Sequence, residues 1–357
     1  MKKKTKPWAL ALLLALSLTS AARAQHTPPR AGPDSILIDT DIGDDVDDAF
    51  AVGLALQSPE LKIEGISTAW GNTALRARLV RRLLAETSQT AVPVAVGIAT
   101  KSPSPFTQAR WAERGPAPDS RVSAPEFLLQ QAAAHPGEIT LVAIGPLTNI
   151  GAAIDRDPAT FRKLKRVVLM GGSVRKGYGD LGFFPDRGPE AEYNIHTDIP
   201  AAQKLFRSGV PIYMMPLDST QLKMDETKRE FLFRQATPLT EALSALYFEW
   251  GQQTPTLFDP MTIAFIDEAE LCPVQAMHIV VDEKGYTRAE RGAPNAQVCL
   301  RSDPEAFFRF YLSHFGAPVG QKSAAEGDRA GQTAMIVSGA FRNDFAFLVQ
   351  VTGTKFW

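Results

Sequence analysis

The sequence predicts an α/β fold: a single Rossmann-like domain with a mostly parallel central sheet flanked by helices, and a small antiparallel hairpin near the C-terminus. Three observations carry this. Short apolar or alternating runs recur between segments of helical spacing from residue 35 to residue 315, the pattern of consecutive βα units. Six aspartates fall within residues 39–48, between two apolar runs, which marks a strand end, a carboxylate loop and a helix start rather than a solvated patch. No internal repeat and no linker interrupts the chain before Phe315, so one large domain accounts for its length.

The elements follow in order. Residues 1–24 read as a secretory signal peptide, with a lysine-rich start, an apolar core at residues 8–19 and Ala22-Arg-Ala24 as a small-x-small cleavage site. No cysteine follows that site, which argues against a lipid anchor. Residues 25–34 are Pro-rich and polar, a flexible leader. Residues 35–38 form the first strand, and a helix over 47–57 starts with aspartates at its positive end. Alternation predicts a strand at 61–69, and Leu75, Leu79, Leu83 and Leu84 set a helix over 73–87. A strand at 92–98 leads into a Pro-rich loop over 100–122, long enough to be functional. A helix at 124–134, a buried strand at 138–144 and a helix opening at 148–154 come next.

The strand at 164–170 ends in Gly171-Gly172, and a Gly-rich loop runs from Arg175 to Pro189. Helical spacing at 199–207 precedes a strand at 211–217, where Met214 and Met215 read as packing residues. Helices follow at 225–235, 239–251 and 260–267. Residues 277–290 read as a hairpin turning at Glu283-Lys-Gly285, then a strand at 296–300 and a helix at 304–315. Residues 316–357 form a C-terminal extension without an assigned role, with a Phe-rich, β-forming piece after Thr333.

Composition narrows the function. Formal net charge is −1 and the basic residues are scattered, which excludes a nucleic-acid surface. No later apolar run is long enough to span a bilayer, so the chain past the signal peptide has no membrane partner and is expected to be periplasmic or secreted. Cys272 and Cys299, the only cysteines, either pair or stay as two buried thiols. Their spacing makes no zinc motif.

Parallel strands bring the segments past their carboxyl ends to one rim. Those segments hold the aspartate loop, Trp70-Gly-Asn72, Gly145-Pro146, Gly171-Gly172, Glu192-Tyr-Asn194 and Phe258-Asp-Pro260. The inventory is carboxylates, amides and aromatics. Crowded carboxylates repel unless protonated or held by a cation, and a hard divalent cation suits oxygen donors. Such a cation acidifies bound water, a carboxylate can take the proton, and the remaining polar groups suit a polyhydroxylated substrate. Residue types alone therefore indicate metal-assisted hydrolysis of a sugar-like bond. An EF-hand is excluded, because its sixth and twelfth places hold Asp44 and Phe50. Asn72 also fits a plain turn residue, Asp259 a helix cap, Glu192 and Asn194 a surface loop, His196 a solvent-facing side chain, and Trp111 either core or lid.

The aspartate loop resembles the signature of the calcium-dependent, inosine-uridine preferring nucleoside hydrolases. Five further blocks resemble that family in order: residues 66–72 (Ile-Ser-Thr-Ala-Trp-Gly-Asn), 139–149 (Ile-Thr-Leu-Val-Ala-Ile-Gly-Pro-Leu-Thr-Asn), 167–172 (Val-Val-Leu-Met-Gly-Gly), 191–194 (Ala-Glu-Tyr-Asn) and 258–260 (Phe-Asp-Pro). The resemblance covers residues 35–315. It implies Ca²⁺ as cofactor, a small nucleoside as substrate and a homodimer or homotetramer. It implies that Asp41 binds calcium and serves as general base, with Asp48, Asp259 and the main-chain carbonyl of Ile144 as further metal ligands. Asp47, Asn72, Glu192 and Asn194 would hydrogen-bond ribose, Met170 would line the sugar pocket, and Asp39 would support the loop. The implied chemistry is displacement at the anomeric carbon by water, through an oxocarbenium-like state.

Three departures from the family pattern stand out. Two extra residues precede the last aspartate pair, so Asp45 rivals Asp47 and Asp48 for their roles. Phe258 occupies a position where some relatives carry a proton-donating histidine and others a stacking aromatic. Arg175 and Tyr178 replace an amide-bearing stretch. Two alternatives stay open on sequence: a calcium-dependent sugar or nucleoside-binding protein without turnover, and an aspartyl-phosphate-type phosphatase with Asp39 as nucleophile.

Overall fold

The computed structural model describes residues 32–117, 122–179 and 188–316. The signal peptide, most of the leader, part of the Gly-rich loop and the C-terminal extension lie outside the described residues.

The chain runs β1 (Asp34–Thr40), α1 (Asp47–Gln57), β2 (Leu61–Thr68), α2 (Thr73–Glu86), β3 (Val94–Ala95), α3 (Ala109–Glu113), α4 (Ala124–Ala134), β4 (Thr140–Ile144), α5 (Thr148–Arg156), α6 (Pro158–Phe161) and β5 (Arg166–Met170). It continues through α7 (Tyr193–Thr197), α8 (Ile199–Arg207), β6 (Ile212–Met215), α9 (Leu217–Thr220), β7 (Leu222–Lys223), α10 (Glu226–Phe233), α11 (Pro238–Trp250) and β8 (Thr256–Leu257). Last come α12 (Pro260–Asp267), β9 (Val274–Val281), β10 (Thr287–Glu290), β11 (Ala296–Cys299) and α13 (Pro304–Ser313).

The main sheet has the order β10-β9-β11-β6-β5-β4-β1-β2-β3. From β11 to β3 every pairing is parallel, whereas β9 and β10 are antiparallel. Parallel strands are covered on both faces, so they read as continuous apolar runs: all five residues of β4 are buried. Side chains alternate between two cores. Ile36 and Ile38 of β1 pack with α1, α2, α11, α12 and α13, while Leu37 faces the other core with α4, α5 and α8. Strand order reverses between β1 and β4, the place where open α/β sheets leave a crevice at their carboxyl edge.

The elements foreseen from periodicity are present, with differences that have local causes. The stretch 92–98 contributes only two paired residues. Pro93 has no N–H for the ladder, and Gly97 lies so close to the Thr68 carbonyl that a Cβ there would sit 1.7 Å from it. The long loop carries α3, and Trp111 within it is buried. The hairpin β9–β10 turns through Gly285 at φ 80°. Elsewhere, β7 and β8 form a second, two-stranded antiparallel sheet too short to leave a pattern. Cys272 and Cys299 form a disulfide, closing the start of β9 against the end of β11. Among the described residues, no helix is long and apolar enough to cross a membrane.

Candidate active site

A cavity of about 320 Å³ opens at the switch point, above the ends of β1, β4 and β5. Its floor is acidic and its walls are aromatic. Asp41 leaves the end of β1, and Asp47 and Asp48 form the first turn of α1. That placement points carboxylates at the helix's positive end. No side chain caps α1, so neither carboxylate is spent on satisfying its own helix. Asp259 arrives from the opposite side of the chain, just before Pro260 opens α12, and it makes no capping hydrogen bond either. The capping alternative for Asp259 is thereby set aside.

Asp47, Asp48 and Asp259 are buried and present carboxylate oxygens all within 4.8 Å of one another. Asp47 also accepts a hydrogen bond from the Phe258 N–H at 3.3 Å, and Thr40 donates its hydroxyl to Asp48. Burial pushes all three carboxyls well above the usual carboxylate range, and neighbouring aspartates add to the shift. Asp41 is pushed up to about 7, chiefly by burial, with the Arg76 guanidinium opposing. Buried anions in such proximity need a counter-charge or protons.

The donor set fits a hard cation. It is all oxygen, from Asp41, Asp48, Asp259 and the β4 end at Ile144, which lines the same cavity, and such sets suit calcium or magnesium rather than thiophilic metals. Arg76 favours the charged forms of Asp41 and Asp48, but one guanidinium offsets only part of the cluster. It is buried on α2 and committed elsewhere, donating to the carbonyls of Asp41, Ile42 and Trp70 and pairing with Asp44 at 2.9 Å.

Arg76 also accounts for the two extra residues of the loop. Asp44, which also lines the cavity, is held in an ion pair with Arg76. Asp45 accepts its neighbour Val46's N–H at 2.7 Å and hydrogen-bonds the Trp250 side chain. The carbonyls of both are held by the long loop: Thr107 donates to Asp44 at 2.6 Å and Gln108 to Asp45 at 2.7 Å. Gly43 permits this approach, because it adopts φ 128° with the Phe106 ring where a Cβ would sit. The structure thus groups Asp47 and Asp48, not Asp45, with Asp259.

Met170, Glu192, Asn194 and Phe258 line the cavity. Asn72 does not. It is exposed, and its amide oxygen accepts the Leu75 N–H at 3.1 Å as the cap of α2. Trp70 and Gly71 take positive φ, so the chain has already turned into the helix at Asn72. Ribose contact by Asn72 is corrected to capping.

Asp39 is buried outside the cavity lining, its carboxyl accepting from Ser67 and, at 2.9 Å, from Asn149. A nucleophile needs access to substrate, so this placement removes the phosphatase alternative. Asn149, which sequence reasoning gave no role, also donates to the Thr68 carbonyl and accepts from the Ile98 N–H. It locks the ends of β1 and β2 beneath the site.

The aromatic wall was the part least foreseen. Tyr178, Tyr193 and Trp250 join Phe258 around the cavity mouth. The signal for Arg76 was present: it shares the buried face of α2 with Ala77, Val80 and Leu83, a lone cation on an apolar stripe facing an acidic loop.

Comparison with known proteins agrees with this geometry. The family model described as inosine-uridine preferring nucleoside hydrolase matches residues 36–309. The pyrimidine-specific ribonucleoside hydrolase RihA of Salmonella arizonae is 31% identical over 306 residues, covering 76% of this chain and 95% of that protein. RihA of Citrobacter koseri is 30% identical over 309 residues with the same coverage. Among solved structures, the plant nucleoside hydrolase PpNRh1 superposes with a TM-score of 0.70 at 26% identity, over 80% of this chain and all of the other. The purine-preferring ribonucleoside hydrolase of Gardnerella vaginalis shares the fold, with a TM-score of 0.68 at 22% identity over 79% of this chain and 98% of its own. With most of its length matched, the chain belongs to the inosine-uridine preferring nucleoside hydrolase family and is an N-glycosyl hydrolase of ribonucleosides.

Proposed function

We propose that this enzyme is an exported, calcium-dependent hydrolase that cleaves ribonucleosides to free base and ribose, with Asp41 as general base. The observation that carries the reading is the buried Asp47–Asp48–Asp259 cluster beside Asp41 at the sheet's switch point. Asp41, Asp48, Asp259 and the Ile144 carbonyl would hold the ion. Calcium, when bound there, supplies the positive charge that acidifies a water and orients the ribose diol.

The chain's own residues do the rest. Asp41 accepts the proton of the attacking water on its carboxylate. The water oxygen bonds to the anomeric carbon, the C–N bond breaks, and its electron pair leaves on the base nitrogen. Asp47, in the same cavity, accepts a hydrogen bond from a ribose hydroxyl. Carboxylates around the ring favour the positive, flattened state over the neutral ground state. Phe258 and Trp250 offer apolar faces to the base and exclude water from the breaking bond. Phe258 cannot protonate the base, so bases that leave readily, or take a proton from water, are turned over fastest.

Export rests on the basic-apolar-small pattern of residues 1–24. The Cys272–Cys299 disulfide is consistent with it, since such bonds persist in oxidising compartments. A homodimer or homotetramer is the expected assembly, checked by light scattering. The central test is incubation of the purified protein with inosine, adenosine, uridine and cytidine, following free ribose with calcium and with chelator. Release of ribose that stops on chelation and returns with calcium is expected. Turnover indifferent to the chelator removes the metal reading, and no turnover of any nucleoside removes the substrate reading. N-terminal sequencing of the secreted or periplasmic protein should begin at Gln25.

A further inference from the structure

Away from the cavity, at the amino edge of the sheet, three side chains from distant stretches converge. Glu60 precedes β2, and its carbonyl accepts the Asp34 N–H at the start of β1. Asp267 is the last residue of α12, and His314 follows the end of α13. Each offers one ligand atom, and the three atoms lie within 4.8 Å of one another. Glu60 is exposed, and the other two are part-buried. The His314 ring is oriented by its own helix. Its Nδ1 lies 2.9 Å from the Phe310 carbonyl oxygen, which can only accept, so Nδ1 carries the proton. Nε2 then presents a lone pair to Asp267 Oδ2, 3.5 Å away. Two acceptors facing each other need a proton or a cation between them. A main-chain carbonyl on one ring nitrogen is also the arrangement that orients a metal-binding histidine.

The surroundings independently favour positive charge. Helix α1 ends shortly before Glu60, α12 ends at Asp267 and α13 ends just before His314. Three helix C-termini, each the negative pole of its helix, thus come together beside two carboxylates. None of the three has a basic residue in its last turn, and the adjacent Lys62 is paired with Glu64 at 2.8 Å. We propose that Glu60, Asp267 and His314 form a second metal site, separate from the aspartate cavity, which takes a zinc-type divalent cation with water completing the shell. One imidazole nitrogen and two carboxylate oxygens suit zinc better than calcium, which prefers an all-oxygen shell of higher number. Tetrahedral zinc ligands at about 2.0–2.1 Å from the ion stand about 3.4 Å apart, and His314 Nε2 and Asp267 Oδ2 stand 3.5 Å apart. Helix α12 links the two sites, since Asp259 precedes its first residue and Asp267 is its last. An ion at this edge clamps the end of α13 to α12 and to the α1–β2 turn, and so fixes the helix that delivers Asp259.

The test uses the purified protein, stripped of metal and then held in excess calcium, which competes for the all-oxygen cavity. Zinc chloride is titrated by calorimetry, and cobalt chloride by visible absorption, which reports a four-coordinate site containing nitrogen. One zinc equivalent is expected. Losing a hydrogen bond that merely supports a ligand costs about 10–100-fold in metal affinity, so losing the ligand itself in His314→Gln should cost at least about 100-fold. Glu60→Gln, an exposed substitution that leaves the packing intact, should weaken binding at least about tenfold. Asp259→Asn, which disables the aspartate cluster, should keep the zinc. Zinc should also raise the urea midpoint of the wild type but not of His314→Gln, whose turnover of nucleosides should match the wild type. Absence of zinc uptake overturns the proposal and leaves the three side chains as an imidazolium ion pair. An affinity unchanged in either His314→Gln or Glu60→Gln overturns it, and so does uptake lost in Asp259→Asn, which would place the ion in the aspartate cavity. The metal readouts need no turnover, so inactivity toward every nucleoside would count against the proposed function alone.

Discussion

Asp41 differs from the other aspartates of its loop in what surrounds it. Arg76 grips its main-chain carbonyl, so the carboxylate is positioned by the backbone while its oxygens face the cavity. General bases contribute on the order of 10²–10⁴ in rate. Asp41→Asn should therefore lower kcat by about 10³-fold within that range, with an unchanged circular dichroism spectrum; a variant within tenfold of wild type would transfer the base role elsewhere. Burial lifts the carboxyls of Asp39 and Glu192 to about 6. A carboxyl that holds its proton more tightly folded than unfolded favours the folded state at low pH. That contribution is complete below about pH 4 and is lost as the pH rises through about 6. Urea unfolding of the metal-free protein should accordingly show stability falling over that window. Added calcium should restore more of it at pH 7 than at pH 5, because metal binding requires deprotonated ligands.

Elements decide how the loop keeps its shape. The connection between β3 and α4 is pinned to the aspartate loop by Thr107 and Gln108, and Trp111 anchors it further, donating its main-chain N–H to Glu249 at 3.0 Å while its ring lies under the Arg82 guanidinium. Trp111 is therefore both core and support for the cavity rim. Arg76 of α2 is the other fastener. Arg76→Met would strand a partly buried Asp44 carboxylate and leave three carbonyls without their donor. Breaking a buried ion pair from one side costs about 3–5 kcal/mol, which the urea midpoint should report at constant slope. The disulfide closes a loop with a sequence separation of 27, and chain-entropy reasoning gives it about 3–4 kcal/mol. Reduction should lower the unfolding free energy by that amount and the urea midpoint with it, and a midpoint indifferent to reductant would mean the bond is not formed in solution.

At the scale of the whole molecule, the fold was legible because parallel strands and crossover helices alternate and both leave periodic traces. Residues 124–134, 199–207 and 260–267 were foreseen as helices with the limits they have. The two-residue strands β7 and β8 and the single-turn helix α7 leave too little periodicity to detect. In the site, Asp41, Asp47, Asp48 and Asp259 were legible because carboxylates flanked by apolar runs contradict ordinary burial. Asn72 misled because the same amide serves a helix cap and a sugar. Tyr178 stood out only as a departure from the family pattern, and Tyr193 and Trp250 stayed hidden because an aromatic residue reads equally as core. Arg76 stayed hidden because helix arginines usually extend to solvent.

The cavity joins Asp47 to Phe258 across 211 positions of sequence. A polypeptide that has not yet brought α12 against α1 lacks one of the three clustered carboxylates. The crowding of buried acids that asks for a counter-charge therefore arises only once distant stretches have met. Fragments ending before Asp259 keep Asp47 and Asp48 but not their third neighbour.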